Sequence, residues 1–192
     1  MAPAQASRAA AGAIDGRRSA VKDTVKIYSQ NSRGLRAAAL EEVLATMKKE
    51  GVFAWLLQET WRLNTEEHHH EDGYVTVNHG PKEKLCKRGS LGVMIVLSPA
   101  AVEAYVRGGN RRMTYGLRVL ALDLVLMDGK DKPVKMRIVS AYAPSSQATI
   151  QEKEDYEANL SHAIEDTAQD TVLIIGADVN ASCGPSKRAV SI

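Results

Sequence analysis

Apolar and polar positions recur along this chain with two spacings, one typical of strands and one typical of helices. The segment TVKIYSQN alternates apolar and polar side chains and predicts a strand that runs into Asn31. The segment RAAALEEVLATMKKEG predicts a helix that stops at Gly51. Its apolar residues share one helical face: Leu40, Val43, Leu44 and Met47. The continuous apolar run VFAWLLQET then predicts a strand that is covered on both faces.

The middle of the chain predicts several further strands. The segments GYVTVNHG and SLGVMIVLS are predicted strands, and a basic loop, PKEKLCKRG, joins them. The segments GLRVLALDLVLM and KPVKMRIVSAYAP alternate around the turn sequence DGKDK, which predicts a β-hairpin. The polar stretch from Trp61 to Asp72 is predicted to be a loop or a short helical turn, and residues 98–114 give an ambiguous pattern.

The last third of the chain predicts a helix and then a buried strand. The segment ATIQEKEDYEANLSHAIEDTAQD is amphipathic, and TVLIIGADVN follows it. The apolar face of this helix comprises Tyr156, Leu160, Ala163, Ile164 and Thr167. The order strand–helix–strand, several strands, then helix–strand predicts an α/β fold with mixed sheets and outer helices rather than a purely parallel sheet.

Length and composition indicate one domain with an extra segment in front. The 192-residue chain has an Ala/Arg-rich stretch at residues 1–22 that we expect to be a disordered tail rather than an organelle signal, with the domain at 23–192. No apolar run approaches the ~20 residues of a membrane-spanning helix. Cys86 and Cys183 are expected to be reduced thiols of an intracellular protein, nuclear or cytoplasmic. The net charge of +2 neither requires nor opposes a nucleic-acid partner.

Polar side chains stand at the ends of four predicted strands. They are Asn31, Glu59, Tyr142, and the pair Asp178 and Asn180. Residues two apart in a strand share a face, so Asp178 and Asn180 are expected to face one cleft. Oxygen ligands of this kind suit Mg²⁺, which takes one or two carboxylates together with water and substrate phosphates. Taken singly, each residue could instead cap a turn or be solvated.

Four motifs resemble those of the endonuclease/exonuclease/phosphatase superfamily. They are NSRGL, LLQET, SAYAP and IIGADVNAS, in this order over about residues 24 to 183, and QET is the most specific. Within the superfamily they most resemble the apurinic-endonuclease-like domains of non-LTR retrotransposons. The last motif departs from the family form, because Ala177 separates Gly176 from the acid and Val179 replaces an aromatic residue or leucine. The resemblance implies a four-layer α/β sandwich of mixed β-sheets flanked by helices.

The resemblance also implies a role for each strand-end residue. Glu59 would hold the catalytic Mg²⁺, or Mn²⁺ in its place, with Asn31 beside it. Tyr142 would contact the scissile phosphate, Asp178 would orient or activate the attacking water, and Asn180 would steady the phosphate. The implied activity is hydrolysis of DNA phosphodiester bonds.

The family's closing Ser-Asp-His motif and a further aspartate have no counterpart after Asn180, so we expect a C-terminally incomplete domain. The histidines at 68–70 are expected to be solvated surface rather than a transition-metal site, and His162 to be structural or exposed. Three functions stay open: a retrotransposon-derived endonuclease that truncation could inactivate, a catalytically dead nucleic-acid-binding or interaction module, and a phosphatase acting on inositol phosphates or phospholipids. The basic loop from Lys82 to Arg88 and the pair at 111–112 could meet phosphates or be solvated. The sequence leaves the oligomeric state open.

Overall fold

The computed structural model describes residues 24–83 and 91–180. The predicted tail, most of the basic loop and both cysteines lie outside these residues. The elements are β1 (Ile27–Asn31), α1 (Ala37–Glu50), β2 (Ala54–Gln58), β3 (Thr65–His69), β4 (Val75–His79), β5 (Val93–Leu97), α2 (Pro99–Arg107), β6 (Arg112–Tyr115), β7 (Val119–Met127), β8 (Pro133–Tyr142), α3 (Ile150–Glu165) and β9 (Thr171–Asp178).

The strands form two mixed sheets. Sheet A has five strands in the order β1-β2-β5-β4-β3, and sheet B has four in the order β6-β7-β8-β9. The pairs β1–β2 and β8–β9 are parallel, whereas the other neighbours are antiparallel. Strands β7 and β8 pair from Val119 opposite Ala141 to Met127 opposite Pro133, which confirms the predicted hairpin.

Three apolar clusters arrange the sheets and helices in layers. The largest cluster lies between the sheets and includes buried residues of β2, β5, β7 and β8. A second packs α1 on the outer face of sheet A, and a third packs α3 on the outer face of sheet B. Helix α2 contributes Ala101, Ala104 and Tyr105 to the cluster between the sheets. The predicted four-layer sandwich of mixed sheets flanked by helices is therefore confirmed.

Helices α1 and α3 form for local reasons that the sequence contains. Helix α1 ends at Gly51, whose φ of 66° is favourable only without a side chain and whose N–H bonds to the Met47 carbonyl. Helix α3 begins with a capping box between Thr149 and Glu152. The buried face of α3 is narrower than predicted, because Ile164 is exposed.

Three segments differ from the prediction. Strand β3 lies within the stretch from Trp61 to Asp72, which was predicted as a loop or a short helical turn. It pairs with β4. All five of its residues are exposed, so the sequence shows no alternation of apolar and polar residues there. Residues 98–114 contain α2, which Ser98 caps, and β6. Strand β9 is a half-buried edge strand rather than a fully buried one.

An ion pair fixes α3 to sheet B. Arg137 of β8 is 3% exposed and donates from Nε and Nη2 to the two carboxylate oxygens of Asp123, at 2.6 and 3.0 Å. Its Nη1 donates to the Ala163 carbonyl and the Thr167 hydroxyl in and after α3, both at 3.3 Å. The Asp123 carboxylate raises the pKa of Arg137. No helix among the described residues is long and apolar enough to cross a membrane.

Candidate active site

The predicted polar residues meet because two parallel strand pairs end at the same place. In sheet A, Asn31 lies opposite Gln58, so Glu59 follows directly beside it. In sheet B, Tyr142 lies opposite Asp178. The edge strands β1 and β9 of the two sheets are neighbours in space. Side chains from all four strand ends therefore gather at one edge of the sandwich.

Asn31 joins the two carboxylates of the site. Its Nδ2 donates to Glu59 Oε1 at 2.6 Å and to Asp178 Oδ2 at 2.5 Å, although Asp178 lies 147 residues further along the chain. The amide oxygen of Asn31 accepts the backbone N–H of Arg33 at 2.9 Å. Because one nitrogen contacts both carboxylates, their oxygens lie no further apart than the sum of these two bonds. Asn31 thus presents its nitrogen, and not its oxygen, to Glu59 and Asp178.

Asn180 reaches the site by a turn rather than by strand alternation. Strand β9 ends at Asp178, and Asn180 lies beyond it with a φ of 45°. The backbone N–H of Asn180 donates to Asp178 Oδ1 at 3.0 Å, and its side-chain amide donates to the Ala143 carbonyl at 2.7 Å. Asp178 and Asn180 are neighbours, but a turn after the strand, and not the alternation of side chains within it, brings Asn180 there. The predicted reason for their shared position is therefore wrong.

The Tyr142 side chain is buried, and the pKa of its hydroxyl group is raised. Burial raises the pKa of Tyr142 above its ordinary value, and the Glu59 carboxylate adds to this rise, while the Asn180 amide and Arg118 oppose it. The phenol is therefore neutral at physiological pH and can donate a hydrogen bond to an anion.

The backbone that carries Glu59 is held in an unusual conformation. Glu59 has a φ of 51°, in the left-handed region that costs a non-glycine residue about 1 kcal/mol or more. Its carbonyl accepts the N–H of Gly34 at 2.7 Å, and the Thr60 carbonyl accepts the N–H of Leu35 at 3.0 Å. These bonds connect the Glu59 loop to the loop that follows Asn31, so both loops are fixed relative to each other.

A buried polar network connects the two sheets beneath the site. Gln58 Nε2 reaches the Ser140 hydroxyl at 3.2 Å and the Gly176 carbonyl at 3.1 Å, both in sheet B. The Ser140 hydroxyl donates back to the Leu57 carbonyl at 3.0 Å. A Cβ on Gly176 would lie 2.6 Å from the Ser29 hydroxyl oxygen. Glycine in the last motif is therefore required by the close approach of the sheets.

Arg118 is a residue of the site that the sequence analysis missed. Its guanidinium carbon lies 5.1 Å from the centre of the Tyr142 ring. Its Nη1 is buried, and no described residue bonds to it. The contact arises because the Tyr142 N–H bonds to the Arg118 carbonyl at 3.0 Å, just before β7 begins. No local sequence pattern reveals a pairing that depends on the register of distant strands.

The other candidate residues are placed elsewhere. Arg111 lies 3.6 Å from Asp123, in an ion-pair cluster at the far part of sheet B. Lys82 is exposed, and the rest of the basic loop after residue 83 lies outside the described residues. His68 and His69 are exposed residues at the end of β3, and His69 Nε2 lies 2.9 Å from Glu67. His70 follows the strand and is half-buried, so the expectation of solvated surface fits the first two histidines and not the third. His162 is exposed on α3.

The site offers a partial set of metal ligands. Within residues 24–83 and 91–180, no three His, Cys, Asp or Glu side chains are grouped so that they could hold a metal ion. The two carboxylates and the amide at the strand ends nevertheless suit a hard cation such as Mg²⁺, which keeps several waters and needs few protein ligands. Both carboxylates already face one positively polarised group, the Asn31 NH₂. The donor set therefore fits a cation bound between them.

Solved structures share this fold. The chain superposes on the APE2 catalytic domain of Xenopus laevis with a TM-score of 0.56 and 18% identity, covering 84% of this chain and 62% of that one. For the AP endonuclease LMAP of Leishmania major the TM-score is 0.51 at 19% identity, over 79% and 53% of the two chains. For a humanized D. rerio TDP2 it is 0.52 at 13% identity, over 83% and 67%. The chain therefore shares the fold of these AP endonuclease and TDP2 structures.

The likeness to these proteins is one of fold and not of sequence. The chain spans 62% and 53% of the length of the two AP endonuclease structures. No protein-family model matches the sequence, and no curated protein is significantly similar to it.

Proposed function

We propose that residues 23–192 form a metal-dependent phosphodiesterase domain of the endonuclease type that hydrolyses DNA phosphodiester bonds. The observation that carries the proposal is the contact of one amide, Asn31, with two carboxylates, Glu59 and Asp178, beside a neutral tyrosine at one edge of the sandwich. The site lies on a fold that the AP endonuclease structures share. A derivation from a retrotransposon rests on the resemblance of the motifs alone and stays a prediction.

Glu59 and Asn31 would hold Mg²⁺, or Mn²⁺ in its place, with Asp178 facing them. When bound, the cation supplies positive charge beside the phosphate and the leaving oxygen. Asn31 donates from its NH₂ group to both carboxylates in this structure, so a cation would replace these two bonds, and Asn31 would hold it through the amide oxygen after the amide turns.

Asp178 is suited to act on the attacking water. Each of its carboxylate oxygens accepts one hydrogen bond that fixes its orientation: Oδ2 accepts from the Asn31 amide, and Oδ1 accepts from the Asn180 backbone N–H. In the proposed reaction the water oxygen forms a bond to phosphorus while the bond from phosphorus to the leaving sugar oxygen breaks. The proton that the water loses passes to Asp178, and the leaving oxygen takes a proton from solvent.

Three donors could stabilise the negative charge that develops on the phosphate. Tyr142 is a neutral phenol, and burial raises its pKa further above the physiological range. The Asn180 amide donates to the Ala143 carbonyl and also contacts the Tyr142 phenol, so Asn180 and Tyr142 would meet an anion as neighbours. Arg118 has a buried Nη1 with no partner among the described residues. Donors fixed before the reaction are the most effective kind of charge stabilisation.

A plasmid-nicking assay tests the proposal. The full chain, Glu59→Ala and the exposed control Glu41→Gln on α1 are incubated with supercoiled plasmid and with abasic-site DNA, with Mg²⁺ or with EDTA. We expect Mg²⁺-dependent nicking by the wild type and the control, and a loss of about a thousandfold or more in Glu59→Ala. Equal cleavage by wild type and Glu59→Ala, or none by either, would refute the proposal. Release of inorganic phosphate from inositol phosphates without nicking would favour a phosphatase instead.

A further inference from the structure

Trp61 lies in the loop that carries Glu59, and its side chain is exposed. The chain has two tryptophans, and they differ sharply: Trp55 is 8% exposed within the cluster under α1, whereas Trp61 is 44% exposed. A large apolar ring at the surface costs free energy that a polar residue would not. Trp61 lies only two residues after Glu59, so its exposed ring is close in the chain to the proposed metal ligand.

The backbone fixes Trp61 in a strained conformation. Its φ is 56°, in the left-handed region that a bulky side chain rarely adopts. Its N–H donates to the Leu91 carbonyl at 2.9 Å, and the Thr60 N–H donates to the Gly92 carbonyl at 3.0 Å. The loop is thus held against the start of β5, and such strain is typical of functional positions.

Gly34 forms a cradle for the indole ring. A Cβ on Gly34 would lie 2.5 Å from Cε3 and 2.7 Å from Cζ3 of Trp61, so no other residue leaves room for the ring. Gly34 also has a φ of 98°, and its N–H bonds to the Glu59 carbonyl at 2.7 Å. The ring is therefore locked beside the loop that follows Asn31 and beside the Glu59 backbone.

Two exposed arginines lie near Gly34 in the sequence, in the segment that adjoins the Trp61 loop. Arg33 lies between Asn31 and Gly34, is exposed and has a φ of 47°. Arg36 follows two residues after the glycine and is also exposed. The two adjoining loops therefore carry an exposed aromatic ring, which offers a surface for base stacking, and exposed guanidinium groups, which attract the phosphate backbone.

We propose that Trp61 is a stacking platform for an unpaired or unstacked nucleobase of the strand whose phosphate lies at Glu59 and Asp178. The inference rests on the proposed nuclease function, because it assigns a nucleobase subsite to the same cleft. Every base presents a π face, so the subsite would favour DNA that is locally unpaired and would discriminate little among the four bases.

Tryptophan fluorescence tests the subsite directly. In Trp55→Phe, Trp61 is the sole tryptophan of the full chain. This variant is titrated in EDTA, which prevents metal-dependent cleavage, with an oligothymidylate and with an oligomer of the same length built from base-free tetrahydrofuran residues. We expect the oligothymidylate to quench Trp61 emission and to bind about 5- to 150-fold more tightly than the base-free oligomer.

Two substitutions separate stacking from a structural role, and because they remove the Trp61 signal, their binding is measured by the fluorescence anisotropy of dye-labelled oligomers. Trp61→Phe keeps an aromatic face and should retain most of the preference for bases, whereas Trp61→Leu should lose it while binding the base-free oligomer as before. Circular dichroism verifies that both variants are folded. Equal preference in Trp61→Leu and wild type, equal quenching by both oligomers, or no binding of either would overturn the inference. The titration contains no metal, so its result does not depend on cleavage. A chain that does not nick DNA can still prefer the oligothymidylate, and a chain that nicks DNA can still show no preference.

Discussion

Sheet B contains two aspartates with opposite surroundings. Asp123 in β7 receives two bonds from Arg137, at 2.6 and 3.0 Å, and Arg111 lies 3.6 Å away. Asp178 at the end of β9 receives bonds from the Asn31 amide and from the Asn180 N–H. Among the residues that the structure describes, no lysine or arginine forms an ion pair with Asp178.

This difference separates structural carboxylates from those available for chemistry. A carboxylate that an arginine neutralises contributes to stability, whereas one that meets only neutral donors keeps its charge for a cation or a proton. Arg137 lies five residues before Tyr142 in β8, so the two aspartates are about 17 Å apart along the sheet at about 3.4 Å per residue. At that distance their effects should be independent.

The largest expected effect is on activity, and it comes from substitution of Asp178 at the end of β9. Asp178→Asn keeps the shape of the side chain and an oxygen that accepts hydrogen bonds, but it removes the proton acceptor. We expect the Mg²⁺-dependent nicking rate to fall about 10²- to 10⁴-fold, while the free energy of unfolding in urea changes by less than about 1 kcal/mol. Nicking at the wild-type rate would show that Asp178 takes no part in the reaction.

The matched substitution of Asp123 should lower the stability of the fold and leave the activity unchanged. Asp123→Asn leaves the Arg137 charge buried without its partner, so we expect a loss of about 3 kcal/mol in the free energy of unfolding. The nicking rate per folded molecule should not change. The double variant Asp123→Leu/Arg137→Met removes both charges and should recover most of the stability. A stable Asp123→Asn would mean that the ion pair does not hold α3 to the sheet.

A smaller effect concerns His79, a buried histidine that belongs neither to the candidate site nor to the ion pair of Asp123 and Arg137. His79 contacts the Gly116 carbonyl through Nε2 and the Thr65 hydroxyl through Nδ1, both at 2.7 Å. Burial lowers the pKa of His79 below its ordinary value. As pH falls below that ordinary value, the unfolded chain binds a proton that the folded chain does not, so the free energy of unfolding should fall.

His79→Gln should therefore reduce the loss of melting temperature between pH 7 and pH 5. Part of the pH dependence should persist, because burial also lowers the pKa of His70. The exposed control His162→Gln should behave like the wild type. An unchanged pH dependence in His79→Gln would contradict the account of a neutral buried imidazole.

The sequence was sufficient for the features of the fold and the site that depend on local pattern. The ends of β1, β2, β8 and β9 follow from apolar runs and alternation, and these ends carry the residues that meet in the site. Strand β3 could not be predicted, because an exposed strand has no buried face to impose a pattern. The strain at Glu59 and the route of Asn180 through a turn are likewise set by tertiary hydrogen bonds rather than by propensity.

Contacts between distant strands account for the rest. The position of Arg118 over Tyr142 and the bonds of Gln58 to Ser140 and Gly176 depend on the register and on the stacking of two sheets. A single sequence contains no signal for such pairings. The glycine before the last acid was noted only as part of a motif, and its physical reason, the close approach of Ser29, required the structure.

Binding of Mn²⁺ tests most directly whether Glu59 holds a cation. The signal of free Mn²⁺ in electron paramagnetic resonance is followed while the wild type, Glu59→Gln, Asp178→Asn and the exposed control Glu41→Gln are titrated. We predict that the wild type and the control bind Mn²⁺ with equal affinity, and that Glu59→Gln binds it at least about tenfold more weakly. Equal affinity in Glu59→Gln and wild type would contradict the assignment of this cluster as the metal site.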